Sequence, residues 1–415
     1  MGKAATIQLE ADFLQAVLAA SDQADRRRSV RGAYRPELDW DGLARTAVRN
    51  RVFPLFYSRA LACGDDIVPR EVRERLDLQH LRAKCFGLLL TRELLRLIDR
   101  FEDHGVEVLP YKGPVLGKEL YGDVALRQFA DLDVLVQRAA VPEATRLLRD
   151  LGYERQAGEE DVDPEAVCEV HLENEQNGVL VELHWDILPA RHAGRLATEE
   201  LWERSRSMTF EGRRLRAFLP EDLLLVLCAH AGEKHRWMRL QWVCDVTHLL
   251  VAYPDLDWDR CLEHADRAGQ ADAVLLGVLL AWALQDAPLP ARILERASRT
   301  KLTAQVGIVQ GRVLREDGGL PTFAEWYAFQ RAVARRKGGA AGRRGMATGW
   351  LSYARAVLSP DWTDREQMPL PRALRFLHYL YRPLRLLRRH GLGLVRRLGA
   401  PTRGKRPPGL NASEG

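Results

Sequence analysis

The sequence predicts an α+β protein, with a small mixed-sheet core flanked by N-terminal helices and a C-terminal helical region. Three observations predict it. Apolar residues recur at helical spacing up to about residue 104, give way to alternation between 105 and 215, and return to helical spacing from Pro220. A chain of 415 residues suits two or three domains. The expected division is 1–104, helical; 105–215, the α/β core; 216–360, helical; and 361–415, a basic amphipathic tail.

Residues 8–20 and 41–62 read as short amphipathic helices, with Leu43, Ala47, Val52, Leu55 and Phe56 near one face. A long helix follows from about 71 to 104. Its apolar stripe is Leu81, Cys85, Leu88, Leu89, Leu94, Leu95 and Ile98, and Gly105 supplies a C-terminal cap after His104. The period then changes. Residues 106–111 are β-like, 114–121 make two turns of helix, 132–136 form a strand, and 142–152 form a helix with Pro142 near its start. Two β-rich segments, 167–173 and 179–187, are joined through Asn177-Gly178, the residues a hairpin turn favours. Helices are expected again at 220–231, 238–252, 257–268 and 271–285, with weaker ones to about 358. Residues 335–345 form a basic, glycine-rich loop.

The formal charge of +5 is unevenly placed. From Pro371 onward eleven Lys and Arg face one acid, Glu414, so this tail carries +10 and the rest of the chain −5. The tail interleaves Arg372, Arg375, Arg382, Arg385, Arg388, Arg389, Arg396 and Arg397 with Leu, Phe and Tyr, interrupted by Pro383 and two glycines. Three partners suit that pattern: an anionic membrane surface, nucleic acid, or the acidic body of the chain itself. No run approaches the roughly 18 apolar residues of a membrane span, and residues 1–30 carry no signal-peptide pattern. The expectation is a soluble cytoplasmic protein, peripheral at the inner membrane surface if the tail finds lipid. The six cysteines, without CxxC or zinc-type spacing, read as buried free thiols in a reducing compartment.

The chemistry is sought in the α/β region. In 131–136, DLDVLV, alternation puts Asp131 and Asp133 on one face and Leu132, Val134 and Val136 on the other. Adjacent carboxylates repel unless a cation intervenes, and Mg²⁺ takes a few carboxylates together with substrate phosphates. In 179–185, VLVELHW, Glu182 and His184 share a face, which makes His184 a candidate for a proton or phosphate contact. If that strand lies beside the first, Glu182 becomes the third carboxylate of a two-metal site. Upstream, Gly113 permits close backbone approach to a phosphate, and Lys112 and Arg127 supply positive charge for it.

The series LPYKGPVL (109–116), Leu120-Tyr121, Arg127, DLDVLV (131–136), VELHWD (181–186) and LPEDLLLVLCAH (219–230), then His235, Trp237, Leu240 and Trp242 to Asp245, resembles the bacterial uncharacterised nucleotidyltransferase family of the DNA polymerase β-like superfamily. The resemblance covers roughly 40–285. It implies that Asp131 and Asp133 are metal ligands, that Glu182 is the third acid, as ligand or general base, and that Lys112-Gly113 takes the place of the superfamily's Gly-Ser phosphate loop. Pro114 departs from that loop, since it offers neither hydroxyl nor N–H; it also suits the first turn of a helix.

Two other features stand out. His230 and His235 are five apart, about 140° round an α-helix, which separates them unless Gly232 breaks the helix. Lys234, His235, Arg236 and Arg239 form either a positive lip or a solvated face. The leading expectation is a Mg²⁺-dependent enzyme moving NMP from an NTP to a hydroxyl of a small molecule, sugar, peptide or protein; the body lacks a basic groove, which argues against nucleic acid. Phosphoryl transfer at the same metal site, and a non-catalytic nucleotide-binding protein, are the alternatives.

Overall fold

The computed structural model describes residues 3–64, 66–155, 167–189, 196–300, 302–314, 368, 370 and 372–390. The expected weak helices beyond 314, the loop at 335–345 and the tail beyond 390 lie outside them. The chain divides into two compact units, residues 1–300 with 313–316, and residues 301–312 with 317–415.

The helices before the core are α1 (Lys3–Leu18), α2 (Gln23–Ala33), α3 (Trp40–Arg49), α4 (Phe53–Ala62) and α5 (Arg70–Glu102). The single helix expected over 41–62 is two, because Pro54 has no N–H to give and fits only a helix's first turn. α2 was not expected. Val30 is its one fully buried residue, so it has little apolar period, and its start is fixed instead by Asp22 accepting from the Asp25 amide.

The stripe expected on α5 is corrected in part. Leu94 and Ile98 are buried, but Leu81, Cys85, Leu88 and Leu89 are exposed. At about 1.5 Å per residue, this helix outreaches the short sheet it covers. Its second half (Leu90, Leu94, Leu97, Ile98, Phe101) packs on the sheet, Val72 and Leu76 are buried near its start, and the stretch between is largely exposed. Cys85 is likewise the exception among cysteines expected to be buried.

Five strands, β1 (Val108–Pro110), β2 (Asp131–Val136), β3 (Tyr153–Arg155), β4 (Glu169–Asn174) and β5 (Leu180–His184), form one mixed sheet in the order β1-β2-β5-β4-β3. β2 and β5 run parallel, and the other neighbours antiparallel. The β4–β5 hairpin turns at Gly178 (φ +69°), with the Asn174 side chain accepting from the amides of Gln176 and Asn177. α6 (Gly113–Tyr121) and α7 (Val141–Asp150) fill the connections. Alternation gives the sheet two unlike faces. One is apolar: Leu132, Val134, Val136, Val170, Leu172, Val181, Leu183 and Tyr153 pack against α5 and against Leu147 and Leu148 of α7. The other is polar and carries the site.

After α8 (Thr198–Glu203) comes a hairpin that sequence reading missed, β6 (Arg206–Phe210) and β7 (Arg213–Ala217). Its turn residues Glu211 and Gly212 both have positive φ, as a two-residue type I′ turn requires. Arginines on its outer face hide an inner face that places Phe210 and Leu215 in the core.

The later helices are α9 (Pro220–Ala229), α10 (Leu240–Ala252), α11 (Trp258–Arg267), α12 (Ala271–Gln285), α13 (Ala291–Ser298), α14 (Thr303–Val313) and, in the basic tail, α15 (His378–His390). α12 is buried on nearly every side, so it forms the middle of this helical region. α15 runs through Pro383 rather than stopping there.

Candidate active site

β2 and β5 build the centre of the polar face. Their register sets Asp133 directly opposite Glu182, with Asp131 two residues earlier on the same face. On the far side of β5, antiparallel β4 sets His171 opposite Glu182 and Glu169 opposite His184. The two strands thus carry the same Glu-x-His pattern, paired head to tail. Four carboxylates and two imidazoles share one surface. Glu169 and His171 were not identified from sequence, although the repeated pattern 169–171 and 182–184 was the available signal.

The turn from β1 brings the cations. Gly113 begins α6 with φ +56°, a left-handed conformation that favours glycine, and Pro114 occupies the first turn. Lys112, just before it, is buried. Its Nζ donates to Asp133 Oδ1 at 2.6 Å and to His230 Nε2 at 3.0 Å.

His184 is fully buried between the acids. Its Nε2 lies 3.4 Å from both Asp133 Oδ1 and Glu182 Oε2 and 3.3 Å from the Tyr111 hydroxyl, while Nδ1 lies 3.0 Å from Glu169 Oε2. Burial pushes this imidazole's pKa down, but the Glu169 charge and the Asp133 contact reverse that and hold it well above the ordinary histidine range. His184 is therefore a cation at neutral pH. Lys234 reaches the same cluster, with Nζ 2.5 and 2.7 Å from the two Glu169 oxygens. Burial raises the Glu169 and Glu182 carboxyls. It is outweighed by His184 and Lys234 at Glu169, and by His171 and His184 at Glu182, so both stay well below the carboxylate range. Asp133 is also held low, its burial outweighed mainly by Lys112. Asp131 differs: burial and the charges of Glu182 and Asp133 push it up.

His230 and His235 meet, contrary to the separation expected of an α-helix. Residues His230–Lys234 form a π-helical turn, and the two Nε2 atoms come within 3.2 Å. The wider turn cancels the angle that α geometry would open between them. Arg236 and Trp237 then take left-handed backbone (φ 51° and 53°), a strained state for residues with a Cβ. Trp237, fully buried, anchors them: its ring fills space left by Gly277, whose Cβ, if present, would meet it at 3.0 Å. Burial, with Lys112 and Lys234 nearby, pushes both histidines well below their usual range, so they stay neutral. His235 also stacks on Trp242, with ring centroids 4.6 Å apart. Lys234 therefore belongs to the polar face, not to a solvated helix surface.

Arg127 stands apart. Its Nε and Nη2 each donate to Asp245 at 2.9 Å, and the Tyr121 hydroxyl donates to the same carboxylate at 2.7 Å. Its hydrogen bonds go to α10; what it offers toward Asp133 is charge.

Asp133, Glu182 and His184 present ligand atoms all within 4.8 Å of one another, a spacing that suits a metal ion. Glu169, His171 and Glu182 do the same, as do Cys168, Glu169 and His184; Asp131 joins no group that compact among the described residues.

The uncharacterised nucleotidyltransferase family matches residues 36–285, and the chain belongs to it. The matched stretch contains every residue of the site, from Lys112 to Trp242. No curated protein matches the chain.

Proposed function

We propose that the chain transfers NMP from an NTP to a hydroxyl of a small molecule, sugar, peptide or protein, using two Mg²⁺ ions held by Asp131, Asp133 and Glu182. One observation carries this reading: Asp133 and Glu182 face each other on neighbouring parallel strands, with Asp131 on the same face. The donor set fits Mg²⁺, which prefers carboxylate oxygens. Burial and the neighbouring Glu182 and Asp133 charges raise the Asp131 carboxyl, a strain that an added cation would relieve. When bound, the ions supply charge stabilisation for the triphosphate and the leaving pyrophosphate.

The chain's own groups do the rest. Gly113 and Val115 offer amide N–H groups at the start of α6, where a helix favours anions, and Pro114 offers none. Lys112, bonded to Asp133, adds an ammonium for phosphate. Arg127 adds fixed positive charge from behind. His184, locked between Glu169 and Asp133, orients the carboxylates. The division we propose is 1–104, 105–215, 216–360 and 361–415, with the chemistry in the second segment and Lys234 supplied by the third.

The test is product mass after incubation with labelled NTP, Mg²⁺ and cell extract. Nucleotidyl transfer adds a base and a phosphate, whereas terminal phosphoryl transfer adds phosphate alone. Thermal shifts with ATP, GTP, CTP and UTP in Mg²⁺ provide a quicker check. No stabilisation by any of them would favour a non-catalytic role.

For the basic end we propose peripheral binding to an anionic bilayer at the cytoplasmic face. No helix among the described residues is long and apolar enough to cross a membrane. The tail does expose Phe376, Tyr379, Leu380 and Leu384 beside its many arginines, an amphipathic pattern suited to such a surface. Sedimentation with anionic liposomes is to be compared for the full chain and a chain lacking 371–415. Equal pelleting would sink the idea.

A further inference from the structure

We propose that the β4–β5 hairpin holds a second, chemically different cation position on Glu169, His171 and Glu182, suited to Mn²⁺, Zn²⁺ or a similar first-row metal rather than Mg²⁺. It shares Glu182 with the site above but does not depend on what that site transfers.

The three donors converge because of register. His171 sits directly across from Glu182, and Glu169 lies two residues along the same strand face. His171 Nε2 is 3.5 Å from Glu182 Oε1 and 3.7 Å from Glu169 Oε1, and all three ligand atoms fall within 4.8 Å of one another. Metal–ligand bonds of about 2.0–2.2 Å bring donors to such separations with small side-chain movements. The mixture of imidazole nitrogen and carboxylate oxygen selects borderline divalent ions over Mg²⁺, which favours oxygen and bound water.

Accessibility separates this group from its neighbours. The His171, Glu182 and Glu169 side chains are 27%, 17% and 11% exposed, whereas Asp133 and His184 are at 5% and 0%. The hairpin donors are thus more open to solvent than Asp133 and His184.

A second observation points the same way. His184 Nδ1 is buried and pairs with Glu169 Oε2 at 3.0 Å, which fixes that carboxylate from behind. An imidazole aimed at the carboxylate of a metal ligand is the outer support such sites use. Lys234 shows that Glu169 already gathers positive charge, and its ammonium competes with any metal there.

The experiment titrates the full-length protein with Mn²⁺ in a large excess of Mg²⁺, reading free Mn²⁺ by electron paramagnetic resonance. Wild type is expected to retain about one equivalent. His171→Ala should weaken that binding at least tenfold, and Lys234→Met should tighten it by removing the competitor. Circular dichroism establishes that each variant folds, with His171→Asn replacing His171→Ala if the latter does not. No Mn²⁺ retained by wild type, or unchanged affinity on substituting His171, would overturn the proposal. NTP-dependent product mass is read separately, so its absence with Mn²⁺ binding intact counts against nucleotidyl transfer alone.

Discussion

Lys112–Asp133 and Arg127–Asp245 are both buried ion pairs, and they differ in how completely they close. Arg127 meets Asp245 through two parallel bonds, and Tyr121 adds a third to the same carboxylate. Lys112 gives Asp133 a single bond and splits its attention with a neutral histidine. The first arrangement satisfies its acid. The second is looser: Asp133 Oδ1 is shared between Lys112 and the more distant His184 Nε2, 3.4 Å away, beside other acids. The closed pair ties the end of α6 and the loop before β2 to α10; the open pair is the one our proposal gives to a ligand.

The contrast can be broken experimentally, beginning with its largest expected effect. Arg127→Met strands Asp245 as a buried, unmatched charge and should lower unfolding free energy by about 3–5 kcal/mol in denaturant titration. Asp133→Asn should reduce NTP-dependent product formation at least about 100-fold, beyond what loss of an outer support brings, while destabilising the fold less than Arg127→Met. If Asp133→Asn proves the more destabilising of the two, the distinction fails.

Gly277→Ala sharpens the picture away from the charges. The new methyl would collide with Cys228 Sγ and press on Trp237, and overpacking of this kind costs about 1–3 kcal/mol. With Trp237 displaced, the strained turn should loosen. The His230 and His235 ring signals would then move in NMR spectra, and unchanged rings would deny Trp237 its anchoring role.

The effect that is smallest at neutral pH, and grows only in acid, concerns His248. Arg59 donates to its Nε2 at 3.1 Å, and burial together with Arg59 lowers its pKa to about 3. The imidazole is neutral in the folded state and free to protonate once unfolded. Its contribution is thus present above about pH 6.5 and lost as pH falls toward 3, at up to about 1.4 kcal/mol per pH unit. His248→Asn should flatten stability against pH across that window; a slope equal to wild type would refute the assignment.

How much of this was readable beforehand depended on which period the residues obeyed. The alternation in 131–136 and 179–185 placed Asp131, Asp133, Glu182 and His184 on their faces without further help, and Gly105 and Asn177-Gly178 marked ends and turns. Glu169-x-His171 carried the same alternation but was taken only as strand. His230 and His235 were judged by α geometry, which a π turn does not follow. Arginines concealed β6 and β7. α5 presented more leucines than its partners could cover, and no local pattern says which of them those partners reach. The close of Arg127 on Asp245, 118 residues away, is a property of tertiary packing that neither residue's neighbours reveal.

The head-to-tail match of the two Glu-x-His patterns also guards against misassembly. Sliding β4 by two residues along β5 would keep every side chain on its proper face, so the apolar core would not object. Either direction, however, would bring Glu182 opposite another acid, Glu169 one way and Glu173 the other, and facing like charges are unfavourable. The arrangement that gathers the site is also what makes the hairpin's alignment unique.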